Sequence, residues 1–346
     1  MTPRDIKSLP LPVLEAEFAA LGHRPFRARQ VFGWVHRRDA ASFDEMTDVA
    51  KNLRAEMAQH YRLMRLPVVE ELRSEDGTCK LGLRTDDGHL LECVLIPEDR
   101  RLTLCVSSQI GCRFGCRFCR TGTMGWVRNL TAGEIVEQLY ATQRTYPDRR
   151  ITNIVLMGMG EPLDNFDQVV DAVLIWRDDH GANLSPRKIT LSTAGVVPEM
   201  DRLGQTVEVS LAISLHAADD ETRNRLMPIN KKYPLAELLA ACKRYPLAHR
   251  RRLTFEYALV AGVNDSDEHA RRLANLVKSL RPKINLIACN SFDGSDLSAP
   301  DEATVLRFQQ ILIDKNLTVI VRKSRGRDIL AACGQLAVEA RRRSQS

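Results

Sequence analysis

Residues 102–119 read LTLCVSSQIGCRFGCRFC, an apolar run that leads directly into a loop with three cysteines. Six further apolar, β-branched runs follow along the chain, and they read ITNIVLM, KITLST, VSLAISL, LTFEYALV, INLIAC and LTVIVR. Helical stretches such as GEIVEQLYATQ and FDQVVDAVLIWR separate the runs. Alternating strands and helices predict right-handed βαβ units and a parallel sheet. Because these units are too few for a closed eight-unit barrel, we expect an α/β fold with an open, partial parallel β/α barrel.

The rest of the chain divides into further segments. The N-terminal part has helical apolar spacing at Leu14, Phe18 and Leu21, which predicts a small helical domain. After it, short alternating segments are separated by Asp-Gly pairs at 76–77 and 87–88, which are hairpin signals. The predicted order is a helical domain (1–65), a short β-meander (66–98), the partial barrel (99–330) and a C-terminal segment with a basic tail (331–346).

The composition excludes several classes of protein. Apolar residues make up 44% and charged residues 27% of the 346 positions, which is ordinary for a globular protein and excludes wholesale disorder. No run of about 18 apolar residues is present, so we expect no membrane span. The start, MTPRDIKSLP, lacks the apolar stretch of a secretory signal, so we expect a cytoplasmic protein. In a reducing compartment, nine cysteines indicate metal binding or catalysis rather than a disulfide framework.

The positive charge is concentrated in three stretches. The chain has 50 basic and 44 acidic residues, a net charge of +6. Residues 101–130 and 243–252 each contain five basic residues and no acid, and residues 321–346 contain seven basic and two acidic residues. Such stretches attract phosphate backbones, although solvated helix ends and a frayed tail are the simpler explanation of any one of them.

The cysteine loop has the spacing of a metal site. Cys112, Cys116 and Cys119 follow the pattern C-x3-C-x2-C after the first predicted strand. A structural zinc site needs four ligands, and the nearest later cysteine is Cys242. Three close thiolates with an open fourth position are typical of a [4Fe–4S] cluster that leaves one iron for another ligand. Zinc with a distant fourth ligand is the alternative.

Several long motifs, taken in order, resemble one known family. They are CVSSQIGCRFGCRFCRTGTMG, MGMGEPLDN, LSTAG, AISLHA, RLMPINKKYPL, FEYALVAGVND and AACGQL, together with FRARQVFGWVH and SFDEMTDVAKNLR near the N-terminus. Nearly the whole chain thereby resembles the RlmN family of dual-specificity RNA adenine methyltransferases, within the radical S-adenosylmethionine (SAM) superfamily. The resemblance implies a radical SAM partial barrel and an N-terminal helix-hairpin-helix-like module that holds folded RNA.

The resemblance also implies the cofactors and their ligands. Cys112, Cys116 and Cys119 would hold a [4Fe–4S] cluster, and SAM would ligate its open iron. In parallel α/β sheets, ligands bind at the carboxyl ends of strands, and the family's SAM contacts match positions at the ends of successive runs. These positions are Gly160, Glu161, Ser192, Ser214, Leu215, His216 and Asn290. Taken singly, a Ser or His at such a position is more often a turn or a helix cap.

Three further residues match the family's catalytic positions. Cys333, in AACGQL, would carry a methyl group taken from a first SAM, and a second SAM would supply the radical that activates it. Cys105 would resolve the resulting thioether link to RNA and form a transient disulfide with Cys333, which cellular thiols reduce. Glu92, in LLECVL, would accept a proton, although a surface carboxylate is the usual fate of a Glu on a strand. Whether Glu92 or Cys105 takes the ring proton stays open.

A few positions depart from the family pattern or have no role in it. Ser291 follows Asn290 where Pro is usual, and Arg120 follows the last cluster cysteine where small residues are common. Four cysteines have no assigned role, and they are Cys79, Cys93, Cys242 and Cys289. Free cysteines are often simply buried, so these four need no function.

We therefore expect an enzyme that methylates C2 of adenine in 23S rRNA, with tRNA as a second substrate. It would act as a cytoplasmic monomer, without a membrane, and with an electron donor such as flavodoxin or ferredoxin. Because aromatic residues make up only 5% of the chain, RNA contact should be mainly electrostatic, with the target base extruded into the barrel mouth. The alternatives are a Cfr-type enzyme that methylates adenine C8, a radical SAM enzyme with another substrate, and a noncatalytic iron–sulfur or zinc RNA-binding protein.

Overall fold

The computed structural model describes residues 3–337 of the chain. Its strands are β1 (Arg4–Asp5), β2 (Tyr61–Arg62), β3 (Val68–Arg73), β4 (Cys79–Arg84), β5 (Leu90–Glu98), β6 (Arg101–Cys105), β7 (Gln109–Gly111), β8 (Trp126–Asn129), β9 (Asn153–Leu156), β10 (Ile189–Thr193), β11 (Ser210–Ser214), β12 (Thr254–Leu259), β13 (Lys283–Ala288) and β14 (Thr318–Arg322). Its α-helices are α1 (Leu11–Ala20), α2 (Pro25–His36), α3 (Lys51–His60), α4 (Arg120–Thr123), α5 (Ala132–Thr145), α6 (Phe166–Arg177), α7 (Val197–Thr206), α8 (Asp220–Leu226), α9 (Leu235–Arg244), α10 (Asp267–Val277) and α11 (Glu302–Asp314). None of the helices in this range has the length and apolar character needed to cross a membrane. The arginines of the predicted basic tail, Arg341, Arg342 and Arg343, lie outside the described residues.

Ten strands form one open sheet in the order β14-β13-β12-β11-β10-β9-β6-β5-β4-β3. The seven strands β6 and β9–β14 pair in parallel, and each of the seven predicted apolar runs forms one of them. Their apolar side chains are buried, as Ile154, Leu191 and Phe255 are at 0% exposure. Within the described range β14 and β3 lie at the two edges of the sheet and do not pair. The predicted open, partial barrel is therefore confirmed.

The predicted β-meander is present, and it extends the same sheet. Gly77 and Gly88 adopt φ angles of +85° in the two tight turns, and β3, β4 and β5 pair antiparallel. β5 then pairs antiparallel with β6, the first strand of the barrel, with Val94 opposite Cys105. An unpaired β6 edge would expose backbone N–H and C=O groups, and the meander covers this edge. As a consequence, Glu92 on β5 lies one strand away from Cys105.

The N-terminal segment is helical, as its apolar spacing predicts, and it packs against the barrel. Leu14 and Phe18 of α1 are buried, whereas Leu21 is 37% exposed because it follows the end of the helix. Lys7 is buried between the two parts, and its Nζ lies 2.6 Å from Glu137 Oε2 on α5. A buried ammonium group needs such a partner, and this ion pair is one of the contacts that join the N-terminal segment to the barrel.

Candidate active site

The cysteine loop follows β6 and folds against a small two-stranded sheet. β7 and β8 pair antiparallel, and the Cys112 N–H donates to the Gly125 carbonyl at 2.8 Å. The Cys119 N–H donates to the Cys116 carbonyl at 3.1 Å, which turns the chain so that the second and third cysteines lie close together. Cys112, Cys116 and Cys119 line one cavity at the carboxyl ends of the barrel strands.

The three thiols fit a multinuclear iron cluster. Burial raises the pKa of each thiol, and the charges of neighbouring cysteines raise the pKa further, so three thiolates are stable here only beside a cation. Two sulfurs on one tetrahedral zinc ion lie about 3.8 Å apart. Within residues 3–337, no three His, Cys, Asp or Glu side chains lie close enough to share a single metal ion. Three cysteines around one cavity, with no such group for a single ion among the described residues, fit a [4Fe–4S] cluster better than the zinc alternative.

The predicted SAM-contact residues meet at the same cavity. Six of the seven line it together with the cysteines, and they are Gly160, Glu161, Ser192, Ser214, His216 and Asn290. They come from the carboxyl ends of β9, β10, β11 and β13, where ligands bind in parallel α/β sheets. The seventh, Leu215, is not among the lining residues, and its side chain is 0% exposed in the core. Its carbonyl still helps to fix the end of β11, since it accepts from Arg223 Nε at 3.1 Å.

Gly160 allows two loops to approach closely. Its φ of +98° lies in the region that favours glycine, and an added Cβ would lie 2.6 Å from Gln109 Cβ. The Gln109 side chain accepts from the Glu161 N–H at 2.9 Å and donates to the Asp164 carboxylate at 2.8 Å. The loop after β9 is thereby held against the start of the cysteine loop.

Glu161 presents a buried carboxylate to the cavity. Its Oε1 accepts from the Leu163 N–H at 3.1 Å, and its Oε2 accepts from the Ala194 N–H at 2.7 Å. Burial raises the pKa of Glu161 to about 7, although these backbone hydrogen bonds favour the charged form. A cationic group bound in the cavity would pair with this carboxylate, and the ammonium group of SAM is such a cation.

His216 is held in one neutral tautomer. The Ala258 N–H donates to His216 Nδ1 at 2.8 Å, so the ring proton resides on Nε2. Burial lowers the pKa of His216 to about 3, and the ring stays uncharged at neutral pH. The Phe118 ring, from the cysteine loop, packs edge-on against it with centroids 4.5 Å apart. His216 therefore offers the cavity an aromatic surface and a neutral N–H donor.

The C-terminal segment brings Cys333 to the cysteine loop. The Arg120 N–H donates to the Gly334 carbonyl at 2.7 Å, and the Asn290 side chain donates to the Cys333 carbonyl at 3.0 Å. Gly334 has a φ of +83°, and an added Cβ would lie 2.8 Å from the Phe118 carbonyl, so this close approach requires glycine. Cys333 lines the cavity and keeps solvent-accessible surface there.

Cys105 lies beneath the segment that contains Cys333. It belongs to a small apolar cluster with Val94, Met159, Ala331 and Leu336. The last two of these residues flank Cys333 in sequence, so the segment covers the Cys105 thiol. Burial and the charge of a Cys333 thiolate both raise the pKa of Cys105. Both are free thiols in this structure.

Glu92 is buried on the same face of the sheet. It is 5% exposed, so its interpretation as a surface carboxylate is wrong. Its Oε1 lies 2.9 Å from Lys80 Nζ, and its Oε2 accepts from the Ala337 N–H at 2.9 Å. Burial raises the pKa of Glu92, while Lys80 and Ala337 oppose this rise. The ion pair and the backbone hydrogen bond thus hold the carboxylate next to the C-terminal segment.

Comparison with known proteins agrees with this arrangement. Residues 106–274 match the Radical SAM superfamily, and residues 5–63 match the Ribosomal RNA large subunit methyltransferase N-terminal domain. A Dual-specificity RNA methyltransferase RlmN from Anaeromyxobacter dehalogenans is 49% identical over 97% of this chain and 92% of its own length. Another, from Geobacter sulfurreducens, is 52% identical over 96% of this chain and 91% of its own length. This chain belongs to the RlmN family.

A solved structure shares the fold of this RlmN-family chain. The crystal structure of a radical SAM methyltransferase from Sphaerobacter thermophilus matches it with a TM-score of 0.90 and 46% identity, and covers 96% of this chain and 99% of that chain. The RlmN-family chain is a radical SAM RNA methyltransferase, and its cofactors are a [4Fe–4S] cluster and SAM. The predicted family, activity and cofactors are confirmed, and the noncatalytic alternative is set aside.

Four charged residues near the cavity of this RlmN-family enzyme have no signal of their own in the sequence; they are Lys80, Arg223, Glu256 and Arg322. Glu256 and Arg322 line the cavity. Glu256 Oε2 lies 3.8 Å from Arg322 Nη1 and accepts no hydrogen bond from the described residues. Desolvation in the cavity raises the pKa of Cys333; the charge of Arg322 opposes this rise, and the charge of Glu256 adds to it. The sequence around each of these residues is that of an ordinary strand or helix. Only their tertiary contacts show that they lie near the cavity.

Arg223 fixes the ends of two strands beside the predicted SAM-contact residues. It is 0% exposed, and its guanidinium group donates to the carbonyls of Ala194, Ser214 and Leu215 and to Asn230 Oδ1. The burial lowers the pKa of Arg223 to about 10, so the group remains charged at neutral pH. Arg223 is therefore a structural support of the RlmN-family cavity.

We expect Arg223→Met to destabilise the protein by about 3–5 kcal/mol, because it leaves four buried acceptors without their donor. The midpoint of urea unfolding measures this change. Arg225→Met is the matched control, since Arg225 is exposed on the same helix, α8, and its replacement should change the stability by less than about 0.5 kcal/mol. An unchanged midpoint for Arg223→Met would contradict the supporting role.

Proposed function

We propose that this enzyme methylates C2 of an adenine in 23S rRNA and in tRNA, with Cys333 as the methyl carrier, Cys105 as the resolving thiol and Glu92 as the proton acceptor. The proposal rests mainly on the position of Cys333. Backbone and side-chain hydrogen bonds from Arg120 and Asn290 hold its segment at the cysteine loop. An enzyme that transferred a methyl group directly from SAM to RNA would not need a thiol there.

The cofactors would be held by the cavity residues. Cys112, Cys116 and Cys119 would bind the cluster, and Glu161 with the other strand-end residues would bind SAM. When bound, these cofactors supply a methyl group and a carbon-centred radical that abstracts hydrogen. Radical chemistry is needed because adenine C2 is an electron-poor carbon that does not attack the electrophilic methyl group of SAM.

Cys333 accepts the methyl group in the first half of the reaction. Its thiolate would attack the methyl carbon of one SAM and release S-adenosylhomocysteine, a substitution that soft sulfur performs well. Arg322 would assist, since its charge opposes the rise that desolvation in the cavity causes in the pKa of Cys333. A second SAM is used to activate the S-methyl group, which then forms a carbon–carbon bond to the adenine ring. The RNA is now joined to Cys333 through a CH2 group.

Glu92 and Cys105 complete the second half of the reaction. The ring carbon that gained the CH2 group loses its proton to a Glu92 oxygen, and the one surplus electron of the radical adduct would return to the bound cluster. The Cys105 sulfur then attacks the Cys333 sulfur, so the S–S bond forms, the S–CH2 bond breaks and the CH2 carbon takes a proton to become the methyl product. Glu92 is the better proton acceptor because Lys80 Nζ lies 2.9 Å from its carboxylate and favours the anion, whereas among the described residues Cys105 has no such cation 2.9 Å away and burial raises its pKa well above the usual range.

RNA contact would combine arginines with an exposed aromatic side chain. In the stretch 101–130, Arg113 pairs with Asp164 at 2.8 Å and Arg117 with Asp296 at 2.5 Å, so the charge available to phosphate is smaller than the composition indicates. Trp126 is 41% exposed beside the cysteine loop, and the Arg113 guanidinium lies 4.3 Å from the centre of its ring. This pair offers a stacking surface for an unpaired base.

The proposal also covers the cellular compartment, the electron donor and the oligomeric state of the enzyme. Cys105 and Cys333 must be reduced at the start of each cycle, which suits the cytoplasm. The cluster would receive its electron from a donor such as flavodoxin or ferredoxin. One chain contains every residue of the proposed cycle, so we propose that it acts as a monomer.

Nucleoside analysis tests the proposed function. The purified enzyme with a reconstituted cluster, SAM and reductant is incubated with a 23S rRNA fragment and, in parallel, with tRNA, and each RNA is then digested to nucleosides. We expect 2-methyladenosine from both RNAs. The appearance of 8-methyladenosine would indicate a Cfr-type enzyme, unmodified tRNA would contradict the second substrate, and absence of any methylated adenosine would overturn the proposal.

A further inference from the structure

A buried ion pair lies between the proton acceptor and the segment that contains Cys333. Lys80 on β4 is 7% exposed, and its Nζ lies 2.9 Å from Glu92 Oε1 on β5. The same ammonium group donates to the Leu330 carbonyl at 3.3 Å. Glu92 accepts from the Ala337 N–H at 2.9 Å through its other oxygen. The pair therefore contacts the chain on both sides of Cys333.

The strand register places Lys80 and Glu92 on one face of the sheet. Lys80 lies opposite Val94, and Gly82 lies opposite Glu92. Side chains two residues apart on a strand share a face, so Lys80 is the diagonal neighbour of Glu92. Gly82 has no side chain, so none stands between Glu92 and the long lysine side chain that reaches it diagonally. Glu70 borders the same place from β3, since an added Cβ at Gly82 would lie 3.2 Å from Glu70 Cβ.

We propose that Lys80 is a positioning residue that keeps Glu92 ionised and ties it to the segment containing Cys333. The inference rests on the proposed function, because it uses Glu92 as the proton acceptor. A buried carboxylate stays charged only with a cation or several hydrogen-bond donors beside it. Among the described residues, Lys80 is the cation in contact with Glu92.

The other ionisable groups around Glu92 do not replace Lys80. Glu70, on β3, raises the pKa of Glu92 through its negative charge. The thiols of Cys93 and Cys105 have pKa values that burial raises above the usual range, so they are neutral near pH 7. Without Lys80, burial and the charge of Glu70 would raise the pKa of Glu92 further.

The proton transfer provides a readout of this role. In the second half of the reaction the proton of the ring carbon moves to a Glu92 oxygen. The electrons of the C–H bond stay in the ring, while the one surplus electron of the radical adduct would return to the cluster. If Glu92 is already protonated, this transfer fails and the RNA stays joined to Cys333. The earlier steps, cleavage of SAM and methylation of Cys333, do not use Glu92.

Lys80→Met removes the charge and keeps a side chain of similar length. We expect its turnover at pH 7 to fall about 10²-fold, with a covalent RNA–protein adduct on denaturing gels and with methylated Cys333 still detected by mass spectrometry. The active form of Glu92 is the anion, which is present above its pKa, and this variant raises that pKa. The acidic limb of the pH–rate profile should therefore move to higher pH, and activity should recover in part as the pH rises. Lys80→Arg keeps the positive charge, so the acidic limb of its pH–rate profile should lie at the same pH as in the unmodified enzyme.

Glu92→Gln is the reference variant that tests whether Lys80 acts through Glu92. If Lys80 acts through Glu92, the double variant Lys80→Met, Glu92→Gln is as slow as Glu92→Gln alone. The double variant has no unpaired buried charge, so it should fold even where Lys80→Met alone does not. In that case Lys80→Gln replaces Lys80→Met for the pH–rate profile.

Two results would overturn the inference. One is a Lys80→Met enzyme with the pH–rate profile of the unmodified enzyme and no adduct. The other is a loss of activity that Lys80→Arg does not restore and that adds fully to the loss in Glu92→Gln. Failure of the proposed function looks different, because then the unmodified enzyme forms no methylated adenosine and Glu92→Gln forms no adduct.

Discussion

Cys333→Ala is expected to abolish RNA methylation, with a fall of at least about 10³-fold. Without the sulfur, the methyl group of the first SAM has no acceptor at the cavity, and no direct route to an electron-poor ring carbon replaces it. Transfer of isotope-labelled methyl groups from SAM to RNA measures the loss. Cleavage of SAM to 5′-deoxyadenosine should continue, because the cysteine loop and the strand-end residues keep their own hydrogen bonds.

Cys289→Ala is the matched control for this experiment. Cys289 is a second free thiol that lines the same cavity, but it is buried at 3% exposure and has no role in the proposed cycle. Its variant should retain the activity of the unmodified enzyme, and the intact enzyme should show one methyl group on the peptide that contains Cys333. Normal methylation by Cys333→Ala would refute the carrier role whatever the fold.

Cys105→Ala is expected to trap the RNA on the protein. The steps before resolution use Cys333, so the CH2 link to the adenine ring should still form. No second sulfur is then available to break the S–CH2 bond, and the turnover should stop after about one cycle. The adduct is measured as a shifted band on a denaturing gel. Digestion with ribonuclease should return this band to the position of the free protein.

Cys93→Ala is the control on the neighbouring strand. Cys93 is also a buried free thiol, but it points away from the Cys105 face, and its Sγ lies 3.6 Å from Thr142 Oγ1 on α5. This variant should turn over without an adduct. Multiple turnovers by Cys105→Ala, free of covalently bound RNA, would show that another group resolves the link.

Local patterns were sufficient for the strands and turns of the fold. Runs such as ITNIVLM and INLIAC form parallel strands, because their β-branched and apolar side chains suit a buried sheet. The Asp-Gly pairs at 76–77 and 87–88 form the turns of the meander, since glycine adopts a positive φ without strain. Each of these features depends on a few adjacent residues, so the sequence displays it directly.

Charge could not be judged from local composition. The stretch 101–130 contains no acid, yet Arg113 and Arg117 pair with Asp164 and Asp296 from other segments. In the stretch 243–252, Arg244 likewise pairs with Asp201 at 2.6 Å. Folding brings acids of distant segments to these arginines, so the positive charge of each stretch is partly neutralised at the surface.

Glu92 shows the same limit for a single residue. On a strand a glutamate is usually solvated, but here β6 pairs with β5 and the C-terminal segment covers the face that holds Glu92. The partner that makes this burial tolerable, Lys80, lies on the next strand of the meander. Neither the covering segment nor the diagonal pairing can be read from the residues next to Glu92.

By itself the sequence determined the order of strands and helices, the three-cysteine spacing and the family to which the chain belongs. Periodicity and motif spacing are local properties of the chain, so they can be recognised without knowledge of the fold. The tertiary structure alone decided that Cys333 reaches the cysteine loop, that Cys105 lies beneath its segment and that Lys80 holds Glu92. These contacts join segments far apart in the chain, and they depend on the register of β5 on β6 and on the path of the C-terminal segment, which no local pattern encodes.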